Sequence, residues 1–218
     1  MAAIDLVGFG WSARAPLRPL TGEAYAERLA AALDALGWQR AHVAGQSWGG
    51  ALAQRLAVSH PDRVERLVLV ATVDPSRFLY LGTTGLRLWM RFPRLARLAV
   101  GRAQRVAAAA AGAAPRELAH GYVDPLLLPG TAAFLDRFIA EHATSAHLDL
   151  GRVAAPTLVI GPLEDRVVHP ATTRSVAERI PRARYEAIPG GSHSVASEQP
   201  DVVAELMARF LEGEEPGG

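Results

Sequence analysis

One stretch of the sequence decides the fold, AHVAGQSWGGALAQRLAVSH, which occupies residues 41–60. Residues 41–45 form a short, largely apolar run that predicts a buried strand. The residues that follow, from Ser47 to Ser59, predict a helix, and His60-Pro61 ends it because a residue before proline avoids the helical region. A strand that passes into a helix through glycine and serine predicts a sharp turn at Ser47.

The turn itself, Gly45-Gln46-Ser47-Trp48-Gly49, matches the pattern G-x-S-x-G. In this pattern the serine adopts a strained backbone conformation, and small residues two before and two after it let the strand and the helix approach without side-chain clashes. The hydroxyl is thereby exposed at the carboxyl edge of the sheet. The backbone N–H of Trp48 opens the helix and can donate to an oxyanion. The pattern alone is common in glycine-rich turns, but the strand before it and the helix after it favour a nucleophile.

Short apolar runs alternate with helical patterns along the rest of the chain, which predicts a parallel sheet with helices on its faces. The pattern predicts helices over 21–36 and 171–180 and from Pro200 onward, and strands over 67–73, 157–160 and 185–188. The stretch 75–152 interrupts this alternation and is mostly helical in pattern. We therefore expect a helical cap insertion over 75–152 between the two parts of an α/β core, 1–74 and 153–218.

The first part of this insertion is strongly basic. Between Pro75 and Arg116 it contains eight Arg and no Asp or Glu. We interpret these residues as the solvated face of a helix, in a chain whose 23 Lys and Arg are all Arg. The alternative is contact with a membrane surface or with an anionic substrate.

The run from Ala41 to Val73 resembles the nucleophile-elbow region of the α/β-hydrolase family. Upstream, Asp5-Leu-Val-Gly-Phe-Gly-Trp-Ser12 is similar to the D-x-x-G-x-G-x-S segment that follows the family's fourth strand. The resemblance covers nearly the whole chain except the insertion. It implies the α/β-hydrolase sheet with flanking helices and a helical cap, and it implies the chemistry of a serine hydrolase.

A serine hydroxyl needs a base to take its proton, and His193 is the candidate among seven His. It lies in a turn-rich loop after the last predicted strand. The family places its catalytic histidine in this loop, before a Glu-Gln-Pro helix start that is retained here at residues 198–200. Ser192 stands where the family usually has glycine. The other six His lack this context.

The base needs an acid that orients it, and the resemblance assigns this role to Asp165. Asp165 falls in register with the family's P-T-L-V-I-x-G-x-x-D pattern, counted from Pro156. Its neighbour Glu164 is an alternative candidate for the orienting acid. Asp74, after the preceding predicted strand, is a further alternative, because some family members take their acid from that position. The chain order Ser, Asp, His is the order expected for this fold.

The resemblance also implies that the first strands of the family's sheet are missing from this chain. In the family, three strands precede the segment at Asp5, and the loop after the third supplies the second oxyanion donor. The chain begins inside the fourth strand, so we expect an oxyanion hole reduced to the N–H of Trp48. Losing one donor costs about 10²–10³-fold in rate in a comparable enzyme. We expect a fragment, a start assigned too far downstream, or a second polypeptide that supplies the missing strands.

Composition sets further limits. The chain has 218 residues, a formal net charge of +1 and no Cys, which argues against a nucleic-acid partner and excludes a thiolate metal site or a cysteine nucleophile. No apolar run approaches the roughly 20 residues of a membrane span, and the N-terminus lacks the pattern of a secretory signal. We expect a cytoplasmic protein without stable membrane insertion, and its oligomeric state stays open.

Together these residues predict a serine hydrolase that acts through an acyl-enzyme formed by Ser47, His193 and Asp165. We expect a small, largely apolar substrate such as a carboxylic ester, a lactone or a thioester, with vinylogous carbon–carbon bonds also open. No cofactor and no metal are expected. The alternative hypotheses are an inactive or vestigial hydrolase-fold fragment, a ligand-binding protein on the same scaffold, and a lipid-handling protein that uses the basic insertion.

Overall fold

The computed structural model describes residues 1–14, 18–75, 124–142 and 145–213. The chain divides into two compact units. Of the described residues, 1–14, 18–21 and 124–142 belong to the N-terminal unit, and 22–75 and 145–213 belong to the sheet unit. Most of the predicted cap, residues 76–123 and 143–144 with the basic stretch, lies outside the described residues, and the predicted domain boundaries stay a prediction.

A four-stranded parallel sheet forms the centre of the sheet unit, with its strands in the order of the chain. The strands are β1 (Ala41–Gln46), β2 (Val64–Val70), β3 (Thr157–Pro162) and β4 (Ala183–Ile188). The helices of this unit are α1 (Gly22–Ala35), α2 (Trp48–Ser59), α4 (Pro170–Arg179), α5 (Val195–Glu198) and α6 (Pro200–Leu211), while α3 (Thr131–His142) belongs to the N-terminal unit. The predicted parallel sheet with flanking helices is confirmed.

Two apolar clusters cover the two faces of the sheet. Because side chains alternate along a strand, Leu67, Leu69 and Val159 contribute to one cluster, while Val68 and Leu158 contribute to the other. The first cluster is completed by residues of α1, α2 and α4, and the second by residues of α5 and α6. Every residue of β3 is buried, which fits a strand with helices on both faces. The sheet edge that carries the strand ends is thereby held rigidly.

Helix α2 is fixed to its surroundings by a buried arginine. The guanidinium of Arg55 donates to the carboxylate of Glu23 at 2.7 Å and to the carbonyl of Ala146 at 2.8 Å. Burial lowers the pKa of Arg55, and the charge of Glu23 acts in the opposite direction. These contacts fix the helix that begins directly after Ser47.

The predicted bounds are wrong for three strands, and of these β3 only ends later than predicted, at Pro162 instead of residue 160. The sequence predicts a strand over 67–73, but β2 begins at Val64 and ends at Val70, because Ala71 has a φ of 45° and leaves the extended conformation. The strand predicted over 185–188 begins at Ala183. The short helix α5 was not predicted.

The N-terminal segment does not form the strand that the resemblance implied, since residues 1–6 have no regular secondary structure. The carboxylate of Asp5 instead accepts a hydrogen bond from the backbone of Trp11 at 2.8 Å, which ties the segment to its own turn. Phe9 from this turn packs edge-on against Phe134 and Phe138 of α3. The sequence motif around Asp5 thus forms a turn, and these contacts lie within the N-terminal unit.

None of the helices in the described part of the chain combines the length and the apolar character that a membrane crossing requires.

Candidate active site

The nucleophile candidate Ser47 occupies the single residue between β1 and α2. Its backbone has φ 54° and ψ −121°, a conformation that costs a residue other than glycine about 1–3 kcal/mol. Two hydrogen bonds hold this conformation: the N–H of Ser47 donates to the carbonyl of Val70 at 2.9 Å, and its carbonyl accepts from the N–H of Ala51 at 3.2 Å. The strain is therefore supported by the neighbouring strand and by the first turn of the helix.

Glycines on both sides of Ser47 allow this tight turn, although not the pair that the pattern suggests. A Cβ at Gly45 would lie 2.4 Å from the backbone oxygen of Gly49, so position 45 accepts only glycine. A Cβ at Gly49 would meet nothing within 4 Å. The close approach that we expected at Gly49 occurs instead at Gly50, where a Cβ would lie 2.4 Å from Oγ1 of Thr72.

The structure brings the three predicted side chains together. Nε2 of His193 lies 3.0 Å from Oγ of Ser47, and its Nδ1 lies 2.8 Å from Oδ2 of Asp165. The three residues follow β1, β3 and β4, and the carboxyl ends of parallel strands meet at one edge of a sheet. The side chain of Asp165 is 1% exposed and that of His193 is 23% exposed, so the acid is buried and the base is accessible.

The local turn fixes the orientation of the Asp165 carboxylate. Its Oδ1 accepts hydrogen bonds from the backbone N–H groups of Val167 and Val168, both at 2.8 Å. Its Oδ2 is thereby directed to His193. A carboxylate held in this way fixes the tautomer of the imidazole, with the proton on Nδ1 and the lone pair of Nε2 facing the serine hydroxyl.

The alternative acids lie elsewhere. Both ring nitrogens of His193 are engaged, one with Ser47 and one with Asp165. Glu164 is exposed. Asp74 is buried and forms an ion pair of 2.7 Å with Arg179. The geometry therefore favours Asp165 over the two alternatives.

Three side chains hold the loop that carries His193. Nε2 of Gln46 donates to the backbone carbonyl of His193 at 2.7 Å. The carboxylate of Glu198 accepts from the backbone N–H of Ser192 at 2.8 Å and from its hydroxyl at 2.5 Å. Gln199 donates to the carbonyl of Pro189 at 3.1 Å. The motifs indicated Gln46 only as an elbow residue, and its contact with a residue 147 positions away has no sequence signal.

An apolar patch adjoins the elbow. Trp48 packs against the buried cluster of Ala51, Val73 and Val168, and its ring meets that of Tyr25 edge-on with 5.2 Å between the centroids. Trp48 is also the first residue of α2, so its backbone N–H lies at the positive end of the helix dipole. Its side chain thus supplies an apolar surface beside Ser47, and its position suits the oxyanion role that the sequence predicts.

No group of three or more carboxylates or imidazoles in the described ranges could hold a metal ion.

Comparisons with known proteins bear on the family and the fold of the chain. Residues 2–133 match the family model described as "alpha/beta hydrolase fold". The chain is 31% identical to 2-hydroxymuconate semialdehyde hydrolase from Pseudomonas putida, over 96% of the chain and 75% of that protein. It is 31% identical to poly(3-hydroxyalkanoate) depolymerase from Ectopseudomonas oleovorans, over 97% of the chain and 75% of that protein.

Among solved structures, the meta-cleavage product hydrolase CumD from Pseudomonas fluorescens IP01, in complex with acetates, superposes with a TM-score of 0.73. The match covers 96% of the chain and 78% of CumD at 22% identity, so it bears on the fold alone.

Proposed function

This chain belongs to the α/β-hydrolase fold family and is a hydrolase, and we propose that within this family it is a serine hydrolase. The proposed substrate is small, largely apolar and ester-like: a carboxylic ester, a lactone, a thioester or a related compound. The observation that carries the proposal is the continuous hydrogen-bonded line from Ser47 through His193 to Asp165, at 3.0 Å and 2.8 Å.

The geometry suits covalent catalysis in two halves. As Oγ of Ser47 attacks the carbonyl carbon, its proton passes to Nε2 of His193, and Asp165 stabilises the imidazolium through Nδ1–H. The carbonyl oxygen becomes an oxyanion that the N–H of Trp48 can stabilise. When the tetrahedral intermediate collapses, His193 returns the proton to the leaving group, and the acyl group stays on Ser47. Water then repeats the sequence and releases the acid.

The apolar character of the substrate is inferred from the surface beside Ser47. Trp48, which directly follows Ser47, is only half-buried and packs on the buried apolar cluster of Ala51, Val73 and Val168, so its indole ring is the apolar group available to an acyl chain. The names of the two relatives point to different substrates, a semialdehyde and a polyester of hydroxyalkanoic acids. They support hydrolysis as the reaction. The identity of the leaving group is a question for experiment.

The first experiment is labelling of the folded chain with a fluorophosphonate probe, with Ser47→Ala as the matched control. We expect stoichiometric labelling of the parent chain and none of the variant, because the probe reacts only with a serine that a base has activated. A series of p-nitrophenyl esters from acetate to octanoate, and in parallel a vinylogous 1,5-diketone, then measures which bond is cleaved. Equal labelling of the Ser47→Ala variant contradicts the proposal, and a folded chain that neither labels nor hydrolyses favours the ligand-binding alternative.

A further inference from the structure

The side chain of Gln46 closes a ring that contains both the nucleophile and the base. Gln46 and Ser47 are covalent neighbours, and Nε2 of Gln46 donates to the carbonyl oxygen of His193 at 2.7 Å. The imidazole of the same His193 lies 3.0 Å from Oγ of Ser47. Two adjacent residues of the elbow therefore hold one residue of the loop at two points, its backbone and its side chain.

The other contacts of the loop do not reach His193 itself: Glu198 accepts from its neighbour Ser192 at 2.8 Å, and the remaining contacts lie earlier in the loop. The backbone N–H of Glu164 donates to the carbonyl of Gly191 at 3.0 Å, and Gln199 donates to that of Pro189 at 3.1 Å. These contacts fix the beginning of the loop to the end of β3 and to the residue before α6. Gly190, with φ 70°, gives the loop its turn. Only the Gln46 contact, among those found in the described loop, joins the backbone of His193 itself to the elbow.

We propose that Gln46 is a positioning residue for the reaction, whose amide sets the distance between Oγ of Ser47 and Nε2 of His193. This inference rests on the proposed serine hydrolase mechanism, because the distance matters only if the proton passes between these two atoms. Proton transfer requires a hydrogen-bonded approach, and a misplacement of about 1 Å can cost about 10²-fold in rate. Gln46 therefore acts on the rate through His193 and does not itself touch the substrate.

Both the length and the donor of the Gln46 side chain enter the argument. Asparagine keeps the amide but is shorter by one carbon–carbon bond, about 1.5 Å. From the present 2.7 Å, its nitrogen could not come within hydrogen-bonding range of the carbonyl without movement of the loop. Methionine keeps the approximate length and volume but has no donor. The two variants therefore remove the same hydrogen bond for different reasons.

The test compares Gln46→Met and Gln46→Asn with Gln199→Met, which removes the amide donor to the carbonyl of Pro189, four residues before His193. In both Gln46 variants we expect kcat and the second-order rate constant of fluorophosphonate labelling to fall by about 10–100-fold, with KM within about 3-fold of the parent value. In Gln199→Met we expect both rates within about 3-fold. Thermal unfolding shows that each variant is folded, and active-site titration corrects each rate for the reactive fraction.

Amide hydrogen exchange over residues 189–195, measured by mass spectrometry, reports the loop without any need for activity. We expect exchange at least about 3-fold faster in both Gln46 variants than in the parent chain, because the loop loses its attachment to the elbow. Unchanged exchange, or rates of the two Gln46 variants equal to those of Gln199→Met, overturns the inference. A third outcome is that the parent chain does not label, while exchange is still faster in the Gln46 variants. In that case the proposed function and the effect of Gln46 on the reaction both fail, and only the structural coupling between Gln46 and the loop stands.

Discussion

The ends of β2 and β3 each carry a buried aspartate, yet the two residues have different partners. Asp74 follows β2, is 2% exposed and pairs with Arg179 of α4 at 2.7 Å. Asp165 follows β3, has a side chain that is 1% exposed, and contacts His193 at 2.8 Å. Both lie where a parallel sheet presents its carboxyl edge. A position at this edge of the sheet therefore makes an aspartate a candidate for the catalytic acid. The group that faces its carboxylate then determines its role.

The change with the largest expected effect is Asp165→Asn, which alters the aspartate that contacts His193. The amide can still accept from the N–H groups of Val167 and Val168, but its NH₂ group then faces Nδ1 of His193 and stabilises the tautomer with the proton on Nε2. That tautomer cannot take the proton of Ser47. We expect kcat for a p-nitrophenyl ester to fall about 10⁴-fold, as in another serine triad with the same substitution.

Thermal unfolding is the companion measurement for Asp165→Asn. We expect the melting temperature to change by no more than a few degrees, because the turn contacts are retained. A loss of less than about tenfold in kcat in a folded variant would show that Asp165 is not the orienting acid.

Next in size is Arg179→Met, which removes the guanidinium that lies 2.7 Å from the buried carboxylate of Asp74. Removal of one partner from a buried pair costs about 3 kcal/mol or more. We expect the free energy of unfolding, measured in urea, to fall by about that amount. The labelling rate per folded molecule should stay within about 3-fold of the parent value, because this pair does not contact the triad.

A smaller effect is expected for Asp74→Asn. The side chain of Arg179 is 36% exposed, so water can solvate part of its charge once the carboxylate is gone. We expect a loss of about 1–2 kcal/mol in the free energy of unfolding, less than for Arg179→Met. In a double-mutant cycle the two changes should not be additive. A fall of more than tenfold in kcat per folded molecule would instead return Asp74 to consideration as the acid.

The smallest expected effect is that of Thr173→Val, which tests the structural role of the segment that leads to Asp74. Oγ1 of Thr173 in α4 donates to the carbonyl of Thr72 at 3.1 Å in a buried site, next to the segment that leads to Asp74. Valine has a similar shape and lacks the donor. We expect about 1 kcal/mol of lost stability in urea unfolding and no change in the labelling rate. A change in the labelling rate would mean that the end of β2 is coupled to the triad.

The sequence predicts well those parts of the fold that depend on residues close together in the chain. The strand, the turn and the helix around Ser47 follow one another within 20 residues, and the structure has them within one residue of the predicted bounds. The register of Asp165 behind β3 is also a local property. Here the identity of neighbouring residues, glycine, serine and β-branched side chains, determines the backbone.

The parts that depend on distant contacts were not predictable. The early end of β2 reflects the left-handed conformation of Ala71, whose N–H donates to Ile160 at 2.9 Å. The pairing of Asp74 with Arg179 joins residues 105 positions apart. Both contacts join residues that are far apart in the sequence, and no periodicity in the sequence records them.

The open space around Gly49 has a consequence for how relatives of this chain are recognised. A methyl group fits there, and the φ of Gly49 is not in the left-handed region, so alanine meets neither a clash nor backbone strain. Mutation to alanine at this position is therefore open to neutral drift, whereas Gly45 and Gly50 are sterically constrained. A search pattern that demands glycine two positions after the serine would overlook chains with the same elbow, and one that demands it at the two constrained positions would be more selective.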